Sequence, residues 1–262
     1  MDPLQPIIKA LHNDGRLRVW SLVITVFGDS VQRRGAVISN TRLQMLLGRI
    51  GVERGTLRTA LSRLAKDGWL ETERTGRASC YRLSKSGIAK FADATGQIYA
   101  PVNDTPVKEW SVSIGRALSG VEIAPNVFLN PAQQDTPDQN PDFRLRGRLD
   151  VLSVQMRANL MSNEHRKSLA AMLRDVSILR GLTLDPLASA AARTLLIHRW
   201  RRLILRFPEL PLELLPDGSF GTSPRAQVRD VYRALTPQAE QWLASDEGNL
   251  RPMPAPDATR RF

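Results

Sequence analysis

Arg54, Arg58 and Ser62 stand at i, i+4 and i+8, with Thr56, Thr59 and Arg63 beside them. On a helix that spacing gathers guanidinium forks and hydroxyls on one face. An arginine fork matches the acceptor edge of guanine and hydroxyls reach bases or phosphates, so the available chemistry is the reading of a major groove. Arg74 and Arg77 flank Gly76 at the tip of an expected hairpin, where they can meet phosphates or an adjacent minor groove. Far along the chain, Arg199, Arg202 and Arg206 form another basic stripe. The simplest reading of that stripe is a face solvated or paired with acids such as Glu209 and Glu213, and the functional alternative is an anion site.

Other chemistry finds little support. There is no Gly-rich phosphate loop, HExxH or GxSxG. Asp138 to Asp142 opens like a calcium loop but has Phe143 where glycine is needed and Leu149 where a bidentate glutamate belongs. Cys80 is the one cysteine, which excludes an internal disulfide and a cysteine-rich zinc site, and it reads as a small buried residue. His12, His165 and His198 are scattered. No enzyme activity, metal or cofactor is expected.

The charge agrees with a polyanionic partner. The 262 residues carry 37 Lys+Arg against 26 Asp+Glu, a net of +11. Residues 31–90 hold 13 basic and 4 acidic residues, a net of +9, so most of the excess lies in this stretch. Each cation that neutralises a phosphate releases counterions, which favours nucleic acid. An anionic membrane would need apolar faces free of a core, and the apolar positions here are committed to one. No apolar run approaches a membrane span, and Met1-Asp2-Pro3 does not begin a secretion signal, so the expected location is the cytoplasm.

The elements that must hold these residues follow from periodicity. Val19, Leu22, Val23, Val26 and Phe27 form a core-facing helical stripe whose end is bracketed by Gly28, Asp29 and Gly35. Leu43, Leu46, Leu47 and Ile50 form a second, capped by Ser39 or Asn40 and stopped by Gly51. Leu57, Ala60, Leu61 and Leu64 form a third, ending at Gly68. Strands on either side of Thr75-Gly76 then predict a hairpin, with Trp69 packed at its junction and Ser84 and Ser86 in turns. Three helices and a two-stranded wing are the winged helix-turn-helix arrangement. Beyond a linker at Pro101 to Pro106, strands are predicted at Trp110 to Ile114, at Asn126 to Leu129, and once or twice within Phe143 to Met156. A loop covers Pro131 to Pro141, and a helix runs from about Glu164 to Leu179. A helix from Leu187 buries Ala192, Leu196, Trp200, Leu203 and Phe207, and a last one from Pro224 to Ala244 buries Val228, Val231, Leu235 and Trp242, before a tail after Asp246. The expected class is α+β, mainly helical. The expected domains are a winged helix-turn-helix at 1–97, an α+β middle domain at 98–180 and a helical domain at 181–262.

Ser21 to Ser84, with SLVITVFGD, RGAVISNTRLQMLLGRIGV and LRTALSRLAKDGWLETERTGRASCYRLS, resembles the amino-terminal domain of the PaaX family of bacterial repressors. RTLLIHRWRRLILRFPELPLELLP, from Arg193 to Pro216, is similar to that family's carboxy-terminal signature. The resemblance implies a homodimeric repressor of phenylacetic acid catabolism, bound to double-stranded operator DNA in the bacterial nucleoid. An aryl-CoA thioester such as phenylacetyl-CoA would be the effector that releases it. The resemblance also implies a ferredoxin-like middle domain, similar to CRISPR-associated nucleases whose metal-binding acid ends the first strand; here that strand ends Ser113-Ile114-Gly115. Under it, Arg199, Arg202 and Arg206 become candidates for the phosphates of the acyl-CoA ligand. The dimer is expected to be built mainly from residues beyond 180. Where the family usually has Asp-Pro and Trp-Pro-Gly, this chain has Phe207-Pro208 and Gly218 to Gly221. The alternatives are an effector-independent architectural DNA- or RNA-binding protein, and a metal-dependent nuclease.

Overall fold

A computed structural model describes residues 2–13, 18–35, 37–75, 78–116, 118–135, 140–215, 222–246, 250–257 and 261–262, with the backbone alone at Arg74, Thr75, Ala78 and Asp93. The chain forms two compact units, neither a single stretch. The first takes Met1–Pro101, Met172–Arg202 and Val228–Phe262, and the second takes Val102–Ala171 and Leu203–Gln227. This grouping differs from the three consecutive domains expected at 1–97, 98–180 and 181–262.

The first unit opens with α1 (Gln5–Asn13) and α2 (Val19–Val26). The α2 stripe is buried as its spacing requires, but the helix does not end at Gly28 and Asp29. It continues as a π-turn over Phe27–Val31 and a 3-10 turn over Gln32–Arg34, and stops at Gly35, whose φ of +76° suits glycine. β1 (Val37–Ser39), α3 (Asn40–Arg49) and α4 (Arg54–Lys66) follow. Ser39 caps α3 by accepting from Arg42 N at 3.2 Å. Leu43, Leu46, Leu47, Leu57, Leu61 and Leu64 are buried on the inner faces of α3 and α4. β2 (Leu70–Thr75) and β3 (Ala78–Leu83) pair from Leu70↔Leu83 to Thr75↔Ala78. β1 joins the far side of β3, giving the antiparallel order β1-β3-β2. Ser84 is more than a turn residue, since its Oγ accepts from Gly87 N at 2.9 Å and caps α5 (Lys85–Ile98).

α7 (Asn163–Leu179), α8 (Pro186–Ile204) and α9 (Pro224–Ala244) supply the rest of this unit from Met172 onward. The helices meet around a charge centre. Asp29, buried in the π-turn, lies 3.0 Å from Arg193 Nε and 2.7 Å from Arg261 Nη1. Tyr99 and Tyr232 donate their hydroxyls to it at 2.7 and 3.1 Å. Arg193 also donates to Glu240 at 2.6 Å, and Glu240 takes Arg34 in turn. Burial alone would raise the Asp29 pKa, but Arg193 and Arg261 and the phenol donors hold it below the ordinary carboxylate value. Burial, then the Asp29 charge, pushes Tyr232 up to about 12, so it remains a donor.

In the second unit, β4 (Trp110–Ile114) lies inside a sheet of order β5-β6-β4-β7, with β5 (Val121–Ala124), β6 (Val127–Pro131) and β7 (Phe143–Gly147) all antiparallel to their neighbours. The alternation in β4 is real, yet its serines face inward. Ser111 and Ser113 are buried, whereas Ile114 is 41% exposed beside its partner Phe143 at 51%. Ser111 donates to Asp135 at 2.6 Å and Ser113 accepts from Arg144 at 3.1 Å, which satisfies both hydroxyls. The second strand expected within Phe143 to Met156 is instead α6 (Val154–Asn159), begun by Ser153, whose Oγ accepts from Met156 N at 3.1 Å.

Asp29→Ala leaves two buried guanidinium groups without their carboxylate and should destabilise the protein by about 3–5 kcal/mol in denaturant unfolding. Because the folded pKa values of Asp29 and Glu240 lie below the ordinary carboxylate values of 3.8 and 4.5, their contribution should be complete above those values. It should be lost as pH falls through the lower folded values, seen as a fall in Tm that Asp29→Ala lessens.

Candidate nucleic-acid interface

The turn between α3 and α4 is Ile50-Gly51-Val52-Glu53, and Gly51 adopts φ +86°. A Cβ there would also sit 3.3 Å from His12 Nε2, so glycine suits both the backbone and the approach of α1. This turn aims α4 outward. Arg54, Thr56, Arg58, Thr59, Ser62 and Arg63 are all exposed on it, opposite the buried leucines. Thr59 donates to Gly55 O at 3.1 Å, and Arg63 pairs loosely with Asp67 at 3.6 Å, both solvent-facing. Among the described residues Arg54 and Arg58 have no ion-pair partner, so their forks are available to a ligand. The backbone of Arg74 lies in β2, one residue before its end, while Arg77 lies outside the described residues.

The positive charge of residues 31–90 divides into two populations, which its sum conceals. Arg34 and Arg42 are buried, at 2% and 0% exposure. Arg42 donates to the carbonyls of Trp242, Ser245 and Arg251 and lies over the Trp242 ring. Arg33 pairs with Asp257 at 3.0 Å and Arg49 with Asp2 at 2.7 Å. Arg82 sits within 4.0 Å of Glu71 and 3.8 Å of Glu73, so the flank of the hairpin carries acids as well as a base. Lys66 and Lys85 are exposed, and Lys90 lies over the Trp69 ring. The cations open to a polyanion are therefore those of α4 and its surroundings, fewer than the count implies. Sequence reasoning had no signal for this division, because buried and exposed arginines have the same formal charge.

The distal stripe does not gather into one site. Arg199 pairs with Asp175, with both side chains nearly buried. Arg206 lies past the end of α8, in the second unit, and forms a two-pronged pair with Glu164 at 2.6 and 2.8 Å. Arg202 is exposed. The acids expected to pair with the stripe are engaged elsewhere: Glu209 takes Arg225, and Glu213 accepts from Val107 N. Phe207 stacks on His165 at 4.6 Å. Residues 218–221 lie outside the described residues.

No group of histidine, cysteine and carboxylate side chains among the described residues could hold a metal. Asp135, which follows the 3-10 turn after β6, has its two oxygens occupied by Arg146 and Ser111. Burial, with Arg201, Arg202 and Arg199 nearby, pushes His198 down to about 3, so it is neutral beside Thr25 Oγ1 at 3.0 Å. Among the described residues no helix is long and apolar enough to cross a membrane.

A family model described as PaaX-like protein matches residues 18–87, and one described as PaaX-like protein C-terminal domain matches residues 160–245, together more than half of the chain. The transcriptional repressor PaaX of Escherichia coli strain K12 is 28% identical, aligned over 98% of this chain and 93% of its own length. A solved structure of an uncharacterized protein from Mycobacterium tuberculosis aligns with a TM-score of 0.53 at 21% identity, covering 85% of this chain and 96% of that one, a likeness of fold.

Exposed and buried arginines should separate cleanly in stability measurements. Arg54→Ala and Arg58→Ala should shift unfolding by no more than about 0.5 kcal/mol, whereas Arg42→Ala, which orphans buried carbonyls, should cost about 3 kcal/mol.

Proposed function

The chain belongs to the PaaX family, and from that premise we propose that it is a transcriptional repressor whose residues 1–97, read as a winged helix-turn-helix, hold double-stranded operator DNA. The observation that carries the reading is the exposed pair Arg54 and Arg58 on α4, without ion-pair partners among the described residues and set out from the core by the Gly51 turn. Arg54, Arg58, Thr56, Thr59, Ser62 and Arg63 read the major groove, and Arg74 and Arg77 at the hairpin tip hold the backbone or an adjacent minor groove. The relative's name supports repression. The family resemblance supports an operon of phenylacetate-type catabolism and release by an aryl-CoA effector in the bacterial cytoplasm. Of the distal stripe, Arg202 is the cation best suited to an effector phosphate, since Arg199 and Arg206 already have carboxylates.

A two-fold dimer belongs to this reading, and an exposed apolar sheet face in the second unit supports it. Ile114, Phe143 and Leu145 leave an apolar sheet face exposed, at 41%, 51% and 60%. β7 pairs only with β4 among the described strands, so one of its sides is an open edge. Antiparallel pairing of β7 with itself about Leu145 sets Phe143 opposite Gly147 and Asp142 opposite Arg148 of the second copy. Such pairing joins the two sheets edge to edge and sets the apolar strips of the two copies side by side, with Arg144 opposite Arg146 and each already paired with Asp135.

Footprinting should reveal an imperfect palindrome with half-sites one or more helical turns apart. Arg58→Ala should cost about 1–3 kcal/mol of operator binding and relax preference at one base pair, while Arg77→Ala should weaken all sequences alike and lower the salt slope by about 1. Equal, sequence-blind losses would remove base reading from Arg58. Arg202→Ala should blunt release by phenylacetyl-CoA without altering operator affinity; unchanged release would take Arg202 out of the effector site.

A further inference from the structure

Residues 250–257 and 261–262, in the stretch that composition marks as a tail, form a strap on the first unit. Its carbonyls at Arg251 and Pro254 accept from Arg42 and Arg34. Asp257 pairs with Arg33, and its N donates to Arg33 O at 2.7 Å. Arg261 reaches Asp29 and Gly28, and Phe262 packs edge-on against Tyr99 and Tyr232. Between this strap and the end of α5 lies a cleft of about 360 Å³, bordered by Gln32, Arg33, Gly96, Tyr99, Asp257 and Arg261. That is the size of a small-molecule site.

Two groups on its border are buried without a hydrogen-bond partner, Gln32 Oε1 and Arg261 Nε. One is an acceptor and the other a donor. Two uncompensated polar atoms beside one cleft are costly in the closed arrangement, and a group bringing both an N–H and a C=O would satisfy them. An amide is that group. We propose that this cleft binds a small amide-bearing molecule admitted by a shift of the strap, its N–H bonding to Gln32 Oε1 and its C=O to Arg261 Nε.

Because both atoms are enclosed while the strap is closed, the ligand gains these bonds only in the shifted arrangement, which gives it the differential affinity that a conformational response requires. The strap also holds Arg42, in the first turn of α3, the helix before the reading helix α4. A ligand that moves the strap therefore acts on the support of the DNA face. That this ligand is the effector rests on the repressor reading above, under which the pantetheine arm of a CoA thioester supplies the amides.

The test is a titration of the full chain with pantetheine, which carries secondary amides, followed by ¹H–¹⁵N NMR of the Arg261 Nε–H and the Gln32 side-chain amide. Saturable shifts with a Kd of about 1 mM or tighter are expected. Gly96 has no atom within 4 Å of a Cβ position, so Gly96→Leu should fold normally while filling the cleft. It should weaken binding at least about tenfold at unchanged Tm. Absence of saturable shifts, or equal affinity in a stably folded Gly96→Leu, overturns the site. Binding that leaves operator affinity unchanged overturns its role as effector site. Failure of the protein to bind any operator sinks the repressor reading instead and leaves the binding result intact.

Discussion

The first unit depends on the neutralisation of one buried carboxylate. Asp29 lies in an apolar surrounding where an isolated charge is untenable, and its guanidinium partners come from α8 and the chain's last residues, Arg261 being 232 positions away. Neither side can do without the other, since Arg193 and Arg261 are themselves nearly fully buried. Such a centre contributes less net stability than apolar packing of the same volume, but its hydrogen-bond geometry admits few alternative arrangements. The N-terminal helices therefore share a core with the C-terminal ones and are not a separable head. The π-turn fits this view: an extra residue in the helical turn at Phe27–Val31 carries the buried carboxylate.

The same constraint sorts the cations. A basic residue in this chain is structural where a carboxylate or a row of carbonyls converges on it, as at Arg34, Arg42 and Arg193, and available where none does, as at Arg54 and Arg58. Net charge attracts a polyanion at long range, but only the second population can touch one. Selecting residues by helical face finds the exposed cations of α4 because burial and exposure follow the 3.6-residue period there. Counting charge over a stretch does not, because it has no phase.

That distinction also explains what the sequence made legible. The inner faces of α2, α3, α4 and α9 were readable residue by residue, since leucine and valine at helical spacing admit one buried face. The hairpin followed from its turn residues, and the Ser39 cap from its position before the stripe. The orientation of β4 was not readable, because alternation fixes two faces without saying which is inward, and here Asp135 and Arg144 draw the serines in. The Asp29 centre was equally hidden. Its members are scattered between residues 29 and 261, and each alone reads as a helix end, a solvated arginine or part of a tail. Arg199 and Arg206 have the spacing of one stripe, but their partners, Asp175 and Glu164, are set by folding.

The exposed apolar sheet and the buried charge centre are complementary departures from the usual rule of apolar inside and charged outside. A chain that only had to be a stable monomer would gain by exchanging them: polar residues at Ile114, Phe143 and Leu145, and hydrocarbon in place of Asp29, Arg193 and Glu240. A regulator has a different requirement. Under the proposed reading it associates through one surface, and its interior has discrete arrangements that a ligand can distinguish. A hydrocarbon core tolerates many small rearrangements of similar energy, whereas a set of ion pairs and carbonyl contacts is either made or broken. In this chain the strap, the charge centre and α3 are joined by contacts of the second kind, through Arg33, Arg34, Arg42 and Arg261. A displacement at the strap would thus reach the helix that supports α4 as a discrete change of partners, which is the form of signal a DNA-reading surface can use.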